Sequence, residues 1–413
     1  MSPFPPLLAS PLVLFLAALA AHRLVHNPDP FTLPLPPATA AWIRLRALLS
    51  PGASKFPLKN RMFLLLRAAI YLLGSVSWLV LWSLDDLIFF AYRSTPLTNP
   101  IFLVGGFRTG STSLHRALSL DEKKYVSPRF VELALPFLSV HFFLDFLEWL
   151  DGRFGTSCIK RIEAKFHQII GPEAMARHPM HYYEAEEDDI LHAAWHLSGW
   201  YIGTMFPDAD AWVASGQMGK YPPAEREKCF KFYERALQKV LWRRGNGRTL
   251  LSKSHLIEFM FTLEEKIPSA TFVGTVRNPK DTFVSWYGLA QAASKVMGGG
   301  WCLATKDAVD VHLRFWDLFS EAEMKFWGDE KKNKILVPFN DYIKDQDATV
   351  RKIYKGMDVK VEADFEKALR DDAERHANYK EKRAYKNDTL EELGTSGDAV
   401  EKRMRRYIDF FKL

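Results

Sequence analysis

The sequence predicts an α/β fold: a central parallel sheet flanked by helices in three layers, preceded by N-terminal hydrophobic helices. Three observations predict it. Short apolar runs at 101–104, 249–252, 270–276 and 335–338 have strand length, and amphipathic helical patterns separate them. The first run leads at once into a Gly-rich loop, Gly105 to Gly110, and then into a helical pattern that begins at Ser111. The third runs straight into Arg277-Asn278-Pro279-Lys280-Asp281, again with a helical pattern behind it. Strands that alternate with helices in this way pair in parallel.

At 413 residues the chain can hold one large catalytic domain with appendages. Hydrophobic residues make up 48%, which excludes global disorder. The formal charge of +6 suits a multiply charged anionic ligand, yet no basic block with interleaved aromatics points to nucleic acid. Cys158, Cys229 and Cys302 are far apart and lack metal-ligand spacing, so free or buried thiols are expected, with one disulfide as the other reading in a luminal protein.

Residues 1–24 are expected to be a signal anchor or transmembrane segment, because 7–21 is nearly all apolar and is followed by His22-Arg23. Residues 25–60 read as a Pro-rich basic linker, with Pro28, Pro30, Pro34, Pro36 and Pro37 opposing helix. Residues 61–95 read as a second membrane-spanning or interfacial helix, uncharged from 68 to 84 and carrying Trp78 and Trp82. A buried amphipathic helix packed on the catalytic domain is the other reading. The linker's excess of Lys and Arg would keep it cytosolic. Two spans would then place the remaining domain, 96–413, in the lumen of the Golgi or another endomembrane; a single span would leave it cytosolic.

The run 101–104 is read as a buried strand, and Leu114, Ala117 and Leu118 mark the inner face of the helix that follows the loop. Strand, glycine loop and helix start form an anion cradle, since backbone N–H groups and the helix dipole converge on one point. The loop nearly matches the NTPase phosphate loop: Gly105 and Gly110 have its spacing and Thr112 its last position. The lysine position, however, holds Ser111, and the cation sits inside the loop as Arg108. Such a loop suits a nucleotide with a single 5′-phosphate that carries a different transferable unit.

Further along, 137–150 is heavily aromatic, read as core, as a membrane-facing surface or as an acceptor pocket. The run 181–189 is acidic and precedes an apolar stretch, which is the pattern of a solvated helix N-terminus. Residues 225–243 and 256–266 are amphipathic helices, and Lys253 follows a strand. Arg277 at a strand's C-terminal edge lies where ligands bind in open parallel sheets, with Ser285 within two turns of the next helix. After the strand at 335–338 come charged helices over 348–369 and 399–411, and 379–387 is rich in Lys and Arg, read as a solvated surface or a cap on the nucleotide.

The segment Arg108-Thr-Gly-Ser-Thr112 after a strand resembles the 5′-phosphosulfate loop of sulfotransferases, which bind 3′-phosphoadenosine 5′-phosphosulfate (PAPS). Arg277-Asn-Pro-Lys-Asp281 with Ser285 resembles their 3′-phosphate site. Together with the acidic run and Leu250-Leu-Ser-Lys-Ser254, these motifs stand in family order over most of 99–412. The chain is similar to the broad carbohydrate- and lipid-type branch, with its P-loop-like fold. Where that branch has proline after Lys-Ser, this chain has His255.

The resemblance implies that Arg108, Thr109, Gly110, Ser111 and Thr112 hold the 5′-phosphosulfate, and that Arg277 and Ser285 hold the 3′-phosphate. The expected reaction moves a sulfuryl group to a hydroxyl or amine of a glycan, lipid or sterol-like acceptor, with a membrane as partner. No metal is expected to be required, because Arg108 and the loop amides stabilise the leaving group. Glu132 is the first candidate for the base, with Glu184, Glu186, Glu187 and His255 in reserve, and Lys253 is a candidate to reach the sulfuryl group or an ordinary surface lysine. A P-loop kinase would want Lys at 111 and a metal-binding Asp where Arg277 stands. A non-catalytic nucleotide-binding scaffold at the membrane is the third reading, and it would be expected to lose its anion ligands.

Overall fold

The computed structural model describes residues 36, 38–42, 58–196, 198–199, 216–297, 308–329, 331–377 and 386–413. The anticipated segment 1–24, most of the linker, Cys302 and most of the basic stretch 379–387 lie outside the described residues.

Five strands form one sheet in the order β2-β3-β1-β4-β5, with β1 Ile101–Gly105, β2 Tyr125–Val126, β3 Thr249–Ser254, β4 Thr271–Val276 and β5 Lys334–Pro338. Every pairing is parallel. Alternate side chains of β1 therefore face opposite layers: Phe102 and Val104 join one hydrophobic cluster, Ile101 and Leu103 the other. Burial on both faces explains why β1 reads as an unbroken apolar run.

The register aligns the carboxyl ends of three strands. Val104 lies beside Ser254 and Gly105 beside Thr275. The loop after β1, His255 after β3 and Arg277 after β4 thus leave the sheet at one edge. The chain also reverses its strand order at β1, which is where open parallel sheets open a ligand crevice.

Helix α1, Leu58–Ile88, covers most of the second anticipated segment, 61–95. Among the described residues no helix is long and apolar enough to cross a membrane. The carboxyl end of α1 is instead fastened to the domain by charge. Lys239 Nζ lies 3.0 Å from Asp85 and 3.4 Å from the centre of the Trp82 ring. Asp85 also accepts the backbone N–H groups of Leu138 and Ser139 at 2.5 and 2.9 Å. Asp86 takes Arg93 at 2.6 Å and the hydroxyl of Tyr92. The acids that interrupt the apolar run are its docking points.

Helices α2 Ser111–Ser119, α3 Phe130–Ala134, α4 Leu138–Phe154, α5 Cys158–Ile170, α6 Pro172–Arg177 and α7 Asp189–Trp195 follow in order. Next come α8 Pro223–Arg244, α9 Ile257–Lys266, α10 Pro279–Met297 and α11 Ala308–Trp327. The anticipated helix over 348–369 is two, α13 Gln346–Gly356 and α14 Ala363–Ala377, after the short α12 Phe339–Lys344. The last is also two, α15 Gly397–Arg403 and α16 Arg405–Phe411. The aromatic run divides in α4 and the residue before it. Phe137 is buried in the core, whereas Phe142, Phe143, Phe146 and Trp149 are exposed. Cys158 and Cys229 are free thiols.

Candidate active site

The loop between β1 and α2 is shaped by its glycines and by Thr109. Gly110 has φ +88°, and a Cβ there would meet the ring of Phe339 at 2.6 Å. A Cβ on Gly105 would meet Thr275 Oγ1 at 2.7 Å. The loop is therefore packed tightly from below, where Gly106 gives a backbone hydrogen bond to the buried Glu323. Thr109 Oγ1 contacts Gly106 O at 2.7 Å and Thr275 Oγ1 at 2.8 Å. Its hydroxyl braces the loop against β4, so from Thr109 a bound anion would take the backbone N–H. Ser111 is buried at the first turn of α2, and Thr112 is half-buried beside it.

Arg108 adopts φ 64° and projects from the loop toward α10. Its Nε donates to Ser285 Oγ at 2.7 Å, and one terminal nitrogen donates to the carbonyl of Arg177 at 3.2 Å. Arg277 donates to the Arg108 carbonyl at 3.1 Å and its guanidinium lies 4.3 Å from the centre of the Phe339 ring. The two anion motifs, separate in sequence, share one site. Two guanidiniums and a helix start point into it, an electropositive arrangement suited to a bisphosphate.

The acidic run is not a solvated helix start. Glu186, Glu187, Asp188 and Asp189 are all buried against β3. Asp188 accepts from Ser252 at 2.6 Å and from Tyr233 at 2.5 Å. Asp189 accepts from Ser254 at 2.7 Å and from the His255 N–H at 2.8 Å. Burial pushes Asp188 up to about 6 and Asp189 up to about 7. Four adjacent acids survive burial because β3 meets them with hydroxyls and one ammonium.

That ammonium is Lys253, itself buried, which pairs with Glu187 and lies 3.1 Å from His255 Nε2. Glu187 also lies 3.3 Å from His255 Nε2. Burial alone would raise the Glu187 carboxyl, but the charge of Lys253, then the hydrogen bond and charge of His255, hold it well below the usual carboxylate range. His255 Nδ1 stands 2.7 Å from the carbonyl of Gly105 and must donate to it. In the neutral ring this leaves Nε2 to accept, with the Lys253 ammonium 3.1 Å away; once protonated, Nε2 donates to Glu187. The His255 ring also packs at 4.3 Å on Phe107, inside the phosphate loop. Lys253, Glu187 and His255 thus form a buried triad touching the loop.

The sequence profile described as the sulfotransferase family matches residues 100–363. The chain belongs to the sulfotransferase family. It is 25% identical over 289 residues to the ω-hydroxy-β-dihydromenaquinone-9 sulfotransferase Stf3 of Mycobacterium bovis, covering 68% of each chain. The Stf3 of Mycobacterium tuberculosis matches to the same extent. Two crystal structures share the fold. Sulfotransferase STF1 of M. tuberculosis has a TM-score of 0.65 at 17% identity, over 95% of this chain and 98% of that one. Sulfotransferase STF9 of Mycobacterium avium has a TM-score of 0.67 at 15% identity, over 100% and 99%.

As a sulfotransferase the protein uses PAPS as co-substrate and a hydroxyl-bearing acceptor. The tightly packed glycine loop and the Arg108–Arg277 pair fit that bisphosphate. Glu132, the first candidate base, is engaged by arginines. It lies in α3, accepts from Arg244 at 2.6 and 2.7 Å and from Arg243 at 3.2 Å, and takes the Arg129 N–H at 2.9 Å. Burial opposes its charge, but the Arg244 hydrogen bond and charge outweigh it and hold the carboxyl below its usual value. These contacts tie α3 to the end of α8. Glu184 is exposed, and Glu186 faces His178 at 3.1 Å. Of the reserve bases, only Glu187 and His255 adjoin the loop. The sequence carried one signal for them: polar residues at 252–255 continuing an apolar strand, opposite a run of acids.

Proposed function

We propose that the site transfers the sulfuryl group of PAPS to a lipid hydroxyl, with the anion held between the 105–112 loop and the Arg277–Ser285 cluster. The convergence of Arg108, Arg277 and Ser285 carries this reading, because it joins the two motifs assigned to the two ends of one nucleotide. Arg108, Thr109, Gly110, Ser111 and Thr112 receive the 5′ end through backbone N–H groups and the Arg108 guanidinium. Arg277 and Ser285 receive the 3′-phosphate.

His255 takes the acceptor's proton at Nε2, since Nδ1 is committed to the Gly105 carbonyl. Glu187 orients His255 and stabilises the imidazolium. Lys253 and Arg108 meet the charge that gathers on the bridging oxygen as its bond to sulfur breaks. Cations built into the chain in this number support transfer without a metal. Glu132 is left to hold α3 in place. Ser111 in the lysine position weighs against the kinase reading, and the intact anion ligands weigh against a scaffold.

Two observations support a lipid acceptor presented at a membrane surface. The curated relatives are named for a hydroxylated menaquinone. The outer face of α1 exposes Leu65, Leu66, Leu73 and Val76, and α4 exposes Phe142, Phe143, Phe146 and Trp149. Aromatic and aliphatic faces of this kind settle into the headgroup boundary. The test incubates the full chain with PAPS carrying radiolabelled sulfur and vesicles containing a hydroxylated prenylquinone, in EDTA. Labelled lipid product is expected. Transfer only to soluble sugars or phenols would overturn the lipid reading, and a requirement for Mg²⁺ would overturn the metal-free one.

A further inference from the structure

No residue of helix α5 is fully buried. Its visible anchor is aromatic: Phe166 packs 4.6 Å from Phe130 and 5.9 Å from Tyr182. Beside that anchor, Glu163 and His167 stand one turn apart on the same helical face. His181 arrives from the turn before the acidic segment. Its Nδ1 lies 3.7 Å from Glu163 Oε1, and its ring meets that of His167 edge-on at 5.2 Å. One donor atom from each of the three lies within 4.8 Å of the other two. His167 Nε2 is buried and has no hydrogen-bond partner, an uncommon state for an imidazole nitrogen.

We propose that Glu163, His167 and His181 bind a zinc-class divalent cation that clips α5 to the segment leading into Glu186 and Glu187. Two imidazoles and a carboxylate are a set that Zn²⁺ accepts and that Mg²⁺ and Ca²⁺ do not seek. Zinc bonds of about 2.0–2.2 Å would draw tetrahedral ligands to roughly 3.3–3.5 Å from one another. Side chains of Glu163 and His181 that are 32% and 40% exposed can make that small adjustment, and they leave room for a water as fourth ligand. The other such cluster, His178, Glu186 and Glu187, already faces the Lys253 ammonium, which takes the place of a cation.

The clip's position gives it a consequence. Just past His181, the carbonyls of Tyr182 and Glu184 accept the N–H groups of Val131 and Phe130, and Glu186 and Glu187 follow. A bound ion would stiffen the approach to the acidic wall of the site while taking no part in the transfer itself. The proposal is independent of which acceptor the enzyme uses.

The test uses the tag-free full chain, stripped with EDTA and then dialysed against Zn²⁺ or Co²⁺. Bound metal is counted by mass spectrometry, and Co²⁺ geometry is read from its visible absorption. A single equivalent, tetrahedral Co²⁺ bands and a raised melting temperature are expected. His167→Ala and His181→Gln should each weaken Zn²⁺ binding by more than the roughly 10–100-fold that loss of an outer-shell partner costs. Glu163→Gln serves as a milder third variant should either fold poorly, and Cys158→Ser, a thiol at the start of the same helix, should bind as the wild type does. Substoichiometric metal after dialysis would overturn the proposal, as would binding that survives in the His variants or that is lost in Cys158→Ser.

Discussion

Arg108 Nε donates to Ser285 Oγ at 2.7 Å across 177 residues of sequence. The contact ties the 105–112 loop to the first turns of α10, so the two ends of the proposed nucleotide site are mechanically one piece. Removing either partner changes the pose of the other. In a double-mutant cycle on adenosine 3′,5′-bisphosphate affinity, Arg108→Ala and Ser285→Ala should be non-additive by about 0.5–3 kcal/mol. Strict additivity, measured by calorimetry, would separate the two ends.

Arg277, the residue proposed to hold the 3′-phosphate, has its guanidinium already oriented by the Arg108 carbonyl and the Phe339 ring. Arg277→Ala should weaken adenosine 3′,5′-bisphosphate binding by about 2–5 kcal/mol in calorimetry without Mg²⁺. A wild type that binds only with Mg²⁺, or that prefers ATP, would reverse the assignment of this end.

His255 and Glu132 make opposite predictions. His255→Gln should lower kcat by about 10²–10⁴-fold with bisphosphate affinity nearly unchanged. Glu132→Gln should leave the kcat of the folded protein close to wild type. Its cost falls on stability, up to about 3–5 kcal/mol, because two arginines lose their buried carboxylate. Urea titration and initial rates on the same two variants decide between the sites.

Glu323 supplies a pH dependence. It is fully buried in α11, accepts the Tyr407 hydroxyl at 2.8 Å and takes a backbone hydrogen bond from Gly106 in the phosphate loop. Burial, only partly offset by those two hydrogen bonds, pushes its carboxyl from 4.5 up to about 8. The folded protein therefore holds a proton that the unfolded chain has released. Its contribution to stability is complete below about 4.5 and is lost as pH rises toward about 8. Asp188 and Asp189 are raised as well and act in the same direction, so the readout is a difference between proteins. Relative to Glu323→Gln, wild type should lose melting temperature steadily between pH 5 and 8. Parallel pH profiles would show that Glu323 does not titrate in this window.

Asp85 holds the carboxyl end of α1 through Lys239 and caps α4 through two N–H groups. Lys239→Met leaves that acid buried without its cation and should cost about 3–5 kcal/mol. Limited proteolysis should then cut first within α1. Unchanged cleavage would mean that Trp82 packing alone suffices to dock the helix.

The sequence by itself determined the sheet and the glycine loop that leaves it. Strand runs buried on both faces are mostly apolar, and a glycine loop between strand and helix tolerates few substitutes, so both write a local pattern. Arg108 and Arg277 each sit in such a pattern. The tertiary structure decided what depends on partners brought from far along the chain. The acids at 186–189 look solvated until β3 supplies Ser252, Lys253 and Ser254. Lys253 looks like a surface residue until Glu187 buries it. Only the fold shows that Arg243 and Arg244 from α8 pair with Glu132 and that Lys239 pairs with Asp85 in α1. Charge has no periodicity of its own. Whether a carboxylate works as a base, a brace or a docking point is set by the cation that burial places beside it, and that pairing exists only in the folded chain.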